Sequence, residues 1–158
     1  MTILVAYASA HWSTKGIAEE IADRLTKAGF KTALHSVGDL TDLRLYEAVV
    51  LGSAIHNQAW LPEAAEFLTS HASELARLPV WLFSVSSVGS KSSFFGPQVS
   101  QLIRSRRREP DVVRAARPEL EPRDHHYFAG AIERGHWNRD RAVERRRLRL
   151  VPKPARYP

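Results

Sequence analysis

Three short, uninterrupted apolar runs constrain this chain more than any other feature: Ile3-Leu4-Val5-Ala6-Tyr7, Ala48-Val49-Val50-Leu51 and Val80-Trp81-Leu82-Phe83. All fall far short of the roughly 20 residues that span a bilayer. Each stops at small and hydroxyl residues: Ser9-Ala10, Gly52-Ser53-Ala54 and Ser84-Val85-Ser86-Ser87. This is the pattern of strands buried on both faces of a parallel sheet. Between the first two runs, Ile17, Ala18, Ile21, Ala22 and Leu25 recur at helical spacing, with Glu19, Glu20, Asp23 and Arg24 on the opposite face. Gly29 suits the left-handed position that closes such a helix. A weaker strand is expected over Thr32 to Val37, then a loop or short helix over Asp39 to Leu45. Ser53 to Trp60 reads as a loop. Pro62 suits a first helical position, and Ala65, Phe67, Leu68 and Leu75 carry the inner face of one or two helical segments that end before Pro79. A further helix is expected over Phe94 to Arg107, with Val99, Leu102 and Ile103 inward, and a last strand over His126 to Ile132. Alternating strands and helices imply an α/β fold with right-handed crossovers and helices on both faces of the sheet.

At 158 residues the chain has room for one such domain. It contains no Cys, which excludes disulfides, zinc-thiolate sites, iron–sulfur clusters and cysteine nucleophiles. Met1 to Ala10 ends in Ala-Ser-Ala but lacks a basic leading region and is too short for a secretory signal, so it reads as a buried strand of a cytoplasmic protein. The net charge of +6 invites a polyanionic partner. That charge is local: residues 1–100 carry 7 Lys and Arg against 9 Asp and Glu, net −2, while 101–158 carry 16 against 8, net +8. The basicity argues about the C-terminal third, and a nucleic-acid partner is not expected for the body.

In an open parallel sheet, ligands bind beyond the carboxyl ends of the strands. The loop after the first strand is rich in hydroxyls (Ser9, Ser13, Thr14) and enters a helix N-terminus, whose free N–H groups and positive dipole end suit a phosphate. It matches neither a Walker A loop nor a dinucleotide fingerprint. A pocket for a single monophosphate and an ordinary helix cap at Ser13 or Thr14 both remain open from this loop alone. His125, His126 and His136 do not make a metal site, because adjacent residues on a strand point to opposite faces and no carboxylate completes a ligand set. No G-x-S-x-G elbow is present. Arg104, Arg106, Arg107 and Arg108 read as a solvated helix end.

Tyr7-Ala8-Ser9-Ala10-His11-Trp12-Ser13-Thr14-Lys15-Gly16-Ile17-Ala18 resembles the phosphate loop of the flavodoxin family, T/S-x-x-G-x-T before a helix. Val50-Leu51-Gly52-Ser53-Ala54-Ile55 with Trp60-Leu61-Pro62 resembles that family's second flavin loop. Pro79 to Ser84 resembles the strand before the third, and Arg123 to Gly130 the fifth strand. The likeness covers about residues 2–137 and is closest to the flavodoxin-like, menaquinone-dependent protoporphyrinogen dehydrogenases. It implies a three-layer sandwich with a five-stranded parallel sheet of order 2-1-3-4-5, and flavin mononucleotide (FMN) as cofactor. Ser9, Ala10, His11, Trp12, Ser13 and Thr14 would then wrap the phosphate. Ser53, Ala54, Ile55, His56 and Asn57 would border the flavin ring on one side, and Ser84, Val85, Ser86, Ser87, Val88 and Gly89 on the other. His56 or Trp60 would be the aromatic on the ring, although Trp60 fits a packed core residue better. Lys15 reads as a surface residue.

The likeness further implies an oxidoreductase of heme biosynthesis, passing electrons from a porphyrinogen through FMN to a membrane quinone. The flavin carries that chemistry, so no catalytic side chain is named. The basic C-terminal third would then assist peripheral contact with anionic lipid. The alternatives are a general flavodoxin-like electron carrier or quinone reductase, and a flavin-free domain with a polyanion-binding tail. Two departures stand out. Trp12 occupies a position where the family has Gly, which costs about 1 kcal/mol or more if φ there is positive. Residues 138–158, Arg-rich and ending in Pro, look unlike the family's closing amphipathic helix, giving an expected division into a domain over 1–137 and a basic tail over 138–158. Without that helix, apolar surface beside the fifth strand would need a partner to cover it.

Overall fold

A computed structural model describes residues 1–10, 12–86 and 109–129. The expected helix over 94–107, residues 87–89 of the third loop, His11, His136 and the tail lie outside these residues.

The three apolar runs form β1 (Thr2–Ala8), β3 (Ala48–His56) and β5 (Val80–Ser86). With β2 (Lys31–Ser36) and β6 (Asp124–Ala129) they make a parallel sheet of order β2-β1-β3-β5-β6. A two-residue strand, β4 (Ala59–Trp60), pairs antiparallel with the end of β3 and lies off this path. Without β4, the order is the expected 2-1-3-4-5.

Helix α1 (Trp12–Lys27) covers one face of the sheet; α2 (Pro62–Ser70), α3 (Ala72–Leu75) and α4 (Asp111–Leu120) lie on the other. Strand alternation divides the core accordingly. Val49, Leu51, Val80 and Leu82 pack with Phe67, Leu68, Leu75 and Val113, while Val5, Phe83 and Val85 pack with Ala18 and Ala22. Gly29 closes α1 at φ 95°, with the Phe30 N–H on the Leu25 carbonyl (3.1 Å) and its own on Thr26 (3.0 Å). Both bonds of the Schellman closure are therefore present. Gly52 and Phe83 are register partners, and a Cβ on Gly52 would collide with the Phe83 ring.

Two features depart from the sequence reading. Ser53 to Trp60 is not an open loop: β3 continues to His56 and returns as β4 through Asn57 and Gln58, at φ 49° and 65°. Two successive residues with positive φ make the primed turn whose twist matches a two-residue hairpin. Helix α4 is the second. Its buried residues are Val113 and Leu120, with Val112 and Ala116 packed beside them, and Pro118 sits inside it. The internal Pro118, and not a lack of helical spacing in Val113, Ala116 and Leu120, is what argues against a helix in the sequence.

Candidate functional site

The carboxyl ends of β1, β3 and β5 lie side by side, with Ala8 opposite Ser53, Ser53 opposite Ser84, and Ala54 opposite Val85. The sheet therefore gathers three of the segments singled out from the sequence at one edge. From β1, Ser9 and Ala10 lead into the N-terminus of α1, where Trp12 is 54% exposed, Ser13 half-buried and Thr14 buried. The first turn of α1 carries no acidic residue, so nothing there repels an anion from the free amides. Trp12 is not among the left-handed residues, which are Asn57, Gln58 and Glu121 among the non-glycine residues described. It starts the helix and points outward, and a bulky side chain therefore carries no backbone penalty at this position. The Lys15 ammonium lies 5.2 Å from the centroid of the Trp12 ring and 3.8 Å from Glu19.

The second segment is partly turned inward. Ser53 is fully buried; its hydroxyl donates to the Ala54 carbonyl (2.8 Å) and accepts from the Leu61 N–H (3.0 Å), fixing the entry to α2. Ala54 and Ile55 are half-buried, while His56 and Asn57 are exposed at the hairpin tip. Trp60 is packed in the core at 4% exposure. In the third segment Ser84 is fully buried, Val85 joins the α1-side core, and Ser86 is half-buried at the strand end.

Ser84 also belongs to a polar cluster that sequence reasoning did not find. Its hydroxyl meets Trp60 Nε1 and His125 Nε2, each at 2.8 Å. His125 Nδ1 lies 3.1 Å from Glu109 Oε1, and Arg117 grips the Glu109 carboxylate with Nε (2.8 Å) and a terminal nitrogen (2.6 Å). Tyr127 stacks on the His125 ring at 4.4 Å. His126 faces the other way and packs on Phe128, as strand alternation requires. Burial pushes the His125 imidazole below its usual range, against the pull of Glu109; the Arg117 hydrogen bond holds the Glu109 carboxyl below the usual carboxylate range. The available signal was alternation: His125 and Tyr127 share a face of β6, and Ser84 faces the same side from β5. A cleft of about 410 Å³ opens beside this cluster, lined by Asn57, Gln58, Trp60, Glu109 and Arg114 among others. No cluster of three metal-ligating side chains occurs among the described residues, and no helix among them is long and apolar enough to cross a membrane.

The family described as "Flavodoxin domain" matches residues 4–153. The chain belongs to the flavodoxin family. The matched stretch runs past Trp137, and FMN is the cofactor of this family. No curated protein matches the sequence. Solved structures share the flavodoxin fold. A flavodoxin from the domain Archaea is 16% identical, covers 90% of this chain and 93% of its own, and has a TM-score of 0.60. Two-electron reduced Megasphaera elsdenii flavodoxin is 17% identical over 84% of this chain and 89% of its own, with a TM-score of 0.59. Rubredoxin oxygen:oxidoreductase from Desulfovibrio gigas is 14% identical over 94% of this chain but only 36% of its own, with a TM-score of 0.59. In the last case the flavodoxin fold is one part of a longer chain.

Proposed function

We propose that this flavodoxin-family chain binds FMN and works as an electron carrier. The observation that carries this reading is the alignment of three strand ends, β1, β3 and β5, beside an α1 N-terminus free of acidic residues, in a chain of this family. Backbone N–H groups and hydroxyls from Ser9, Ala10, His11, Trp12, Ser13 and Thr14 would hold the phosphate, aided by the α1 dipole. Ala54, Ile55, His56 and Asn57 would border the ring on one side, and Val85 and Ser86, with the Ser87, Val88 and Gly89 that follow them in sequence, would border it on the other. Ser53 and Ser84 act indirectly, because their hydroxyls are spent on fixing the hairpin and α2. Bound FMN would supply one- and two-electron chemistry, and the protein loops would set its orientation.

The absorption spectrum of the purified chain tests this. Bands near 370 nm and near 450 nm mark oxidised flavin; a colourless protein that also takes up no added FMN overturns the proposal. The resemblance of Tyr7 to Ala18 and Val50 to Ile55 to protoporphyrinogen dehydrogenases favours a second, narrower reading: a porphyrinogen donor, a quinone acceptor and peripheral contact with a membrane. Anaerobic assay with protoporphyrinogen and a menaquinone analogue separates the two. Porphyrin fluorescence above background supports the narrower reading, and its absence leaves the general carrier.

A further inference from the structure

Trp60, Ser84, His125, Glu109 and Arg117 form one hydrogen-bonded chain from β4 through β5 and β6 to α4. Each link fixes the proton on the next. An indole N–H only donates, so Ser84 Oγ accepts from Trp60 at 2.8 Å. Among the described residues the Ser84 hydroxyl has no other acceptor, so its proton goes to His125 Nε2, which then presents a lone pair. The imidazole is therefore neutral with its proton on Nδ1, donated to the Glu109 carboxylate that Arg117 holds. The order of groups resembles an acyl-transfer triad. Ser84 is fully buried, however, and Trp60 caps its oxygen, which leaves a substrate carbonyl no approach.

We propose that this chain is a proton-operated latch on the Asn57–Gln58 hairpin, closed while His125 is neutral and released when the imidazole takes a second proton. A protonated imidazole has N–H groups on both nitrogens. Trp60 Nε1 and His125 Nε2 would then both aim donors at Ser84 Oγ, and the hydroxyl proton would lose its acceptor in a buried site. Beyond this chain of bonds, the described hairpin is held by two ladder pairs, Ile55 with Trp60 and His56 with Ala59, by the Ser53 hydroxyl on the Leu61 N–H and by the packing of Trp60, while its tip is two exposed left-handed residues. The charged groups acting on His125 are Glu109 and Arg117 from the α4 end and Asp124 from β6; Tyr127 stacks on it, Trp60 meets it edge-on at 6.3 Å, and its side chain is 2% exposed. Burial and Arg117 oppose the second proton while Glu109 and Asp124 favour it. Burial is the largest of these, so neutral pH closes the latch and acid opens it. The consequence for cofactor retention rests on the proposed function, because the same hairpin carries Ile55 to Asn57.

The test uses the full chain without added flavin. Histidine nitrogen NMR between about pH 8 and about pH 5 should show one imidazole in the Nδ1–H tautomer, with its midpoint below about 6.5. Exchange of the Trp60 indole N–H, corrected for its intrinsic rate, should follow the protonated fraction of His125, accelerating by about tenfold per pH unit of acidification above that midpoint and levelling off below it. His125→Gln, which cannot titrate, should abolish this acceleration. If that variant does not fold, Glu109→Gln removes a group that favours the second proton and should move the midpoint to lower pH. An Nε2–H tautomer, Trp60 exchange indifferent to the His125 titration, or a folded H125Q that keeps the parental pH dependence would each overturn the latch. A protein that passes these tests but takes up no added FMN sinks the proposed function and leaves the latch standing; an FMN-binding protein that fails them does the reverse.

Discussion

Asn57 and Gln58 turn the hairpin as two L-residues in the left-handed region, and only the first belongs to a type that visits it readily. Gln58→Gly relieves this conformation at an exposed position and should raise stability by about 1 kcal/mol, measured by denaturant melts. An unchanged midpoint would show that the hairpin relaxes without the substitution. Gly52→Ala works in the opposite direction. The Phe83 ring that covers Gly52 is itself buried and has little room to retreat, so the added methyl should cost about 1–3 kcal/mol or more. A G52A protein as stable as the parent would contradict the close packing of β3 against β5.

At the level of elements, α1 has a first turn without carboxylates, and Ser13→Asp puts one there. A carboxylate at a helix N-terminus favours the helix by about 0.3–1 kcal/mol. It also competes with a phosphate for the same amides, so FMN affinity should fall about tenfold or more, equivalent to about 1.4 kcal/mol, while the melting temperature holds or rises. Equal FMN affinity in the two proteins would place the phosphate elsewhere. In α4, Pro118 is exposed inside the helix. Pro118→Ala recovers a helical bond at little packing cost, and a gain of about 2 kcal/mol is expected once the looser unfolded chain is counted. Elements with strong periodicity were legible in the sequence: β1, β3, β5, α1 and its Gly29 closure follow directly from side-chain patterns. α4 was not, because Pro118 stands inside a short segment and reads as a helix breaker. The strand ends that gather at the candidate site were also legible. The inward turn of Ser53 and Ser84 was not, because strands buried on both faces hide which parity faces which helix layer.

At the scale of the whole molecule, His125 and Glu109 of the buried polar cluster tie stability to pH in the same direction. The unfolded imidazole takes a proton near pH 6.5, but burial makes folded His125 resist it, so the unfolded chain binds more protons and stability falls as pH drops below that value. Folded Glu109 has a depressed carboxyl, so its contribution is present above about pH 4.3 and is lost as pH falls through the folded value. Melting temperature measured at constant salt should therefore decline from about pH 7 to about pH 4, and a flat profile from about pH 7 to about pH 5 would remove the His125 part. The contact between Gly52 and Phe83 has a consequence for alignment along the sheet. Sliding β5 by one residue would turn its side chains to the other layer. Sliding it by two would bring the ring over Val50 or Ala54, whose side chains occupy the space it needs. Only one alignment seats the ring on a glycine, and that alignment holds the ends of β3 and β5 level, Ser53 beside Ser84 and Ala54 beside Val85.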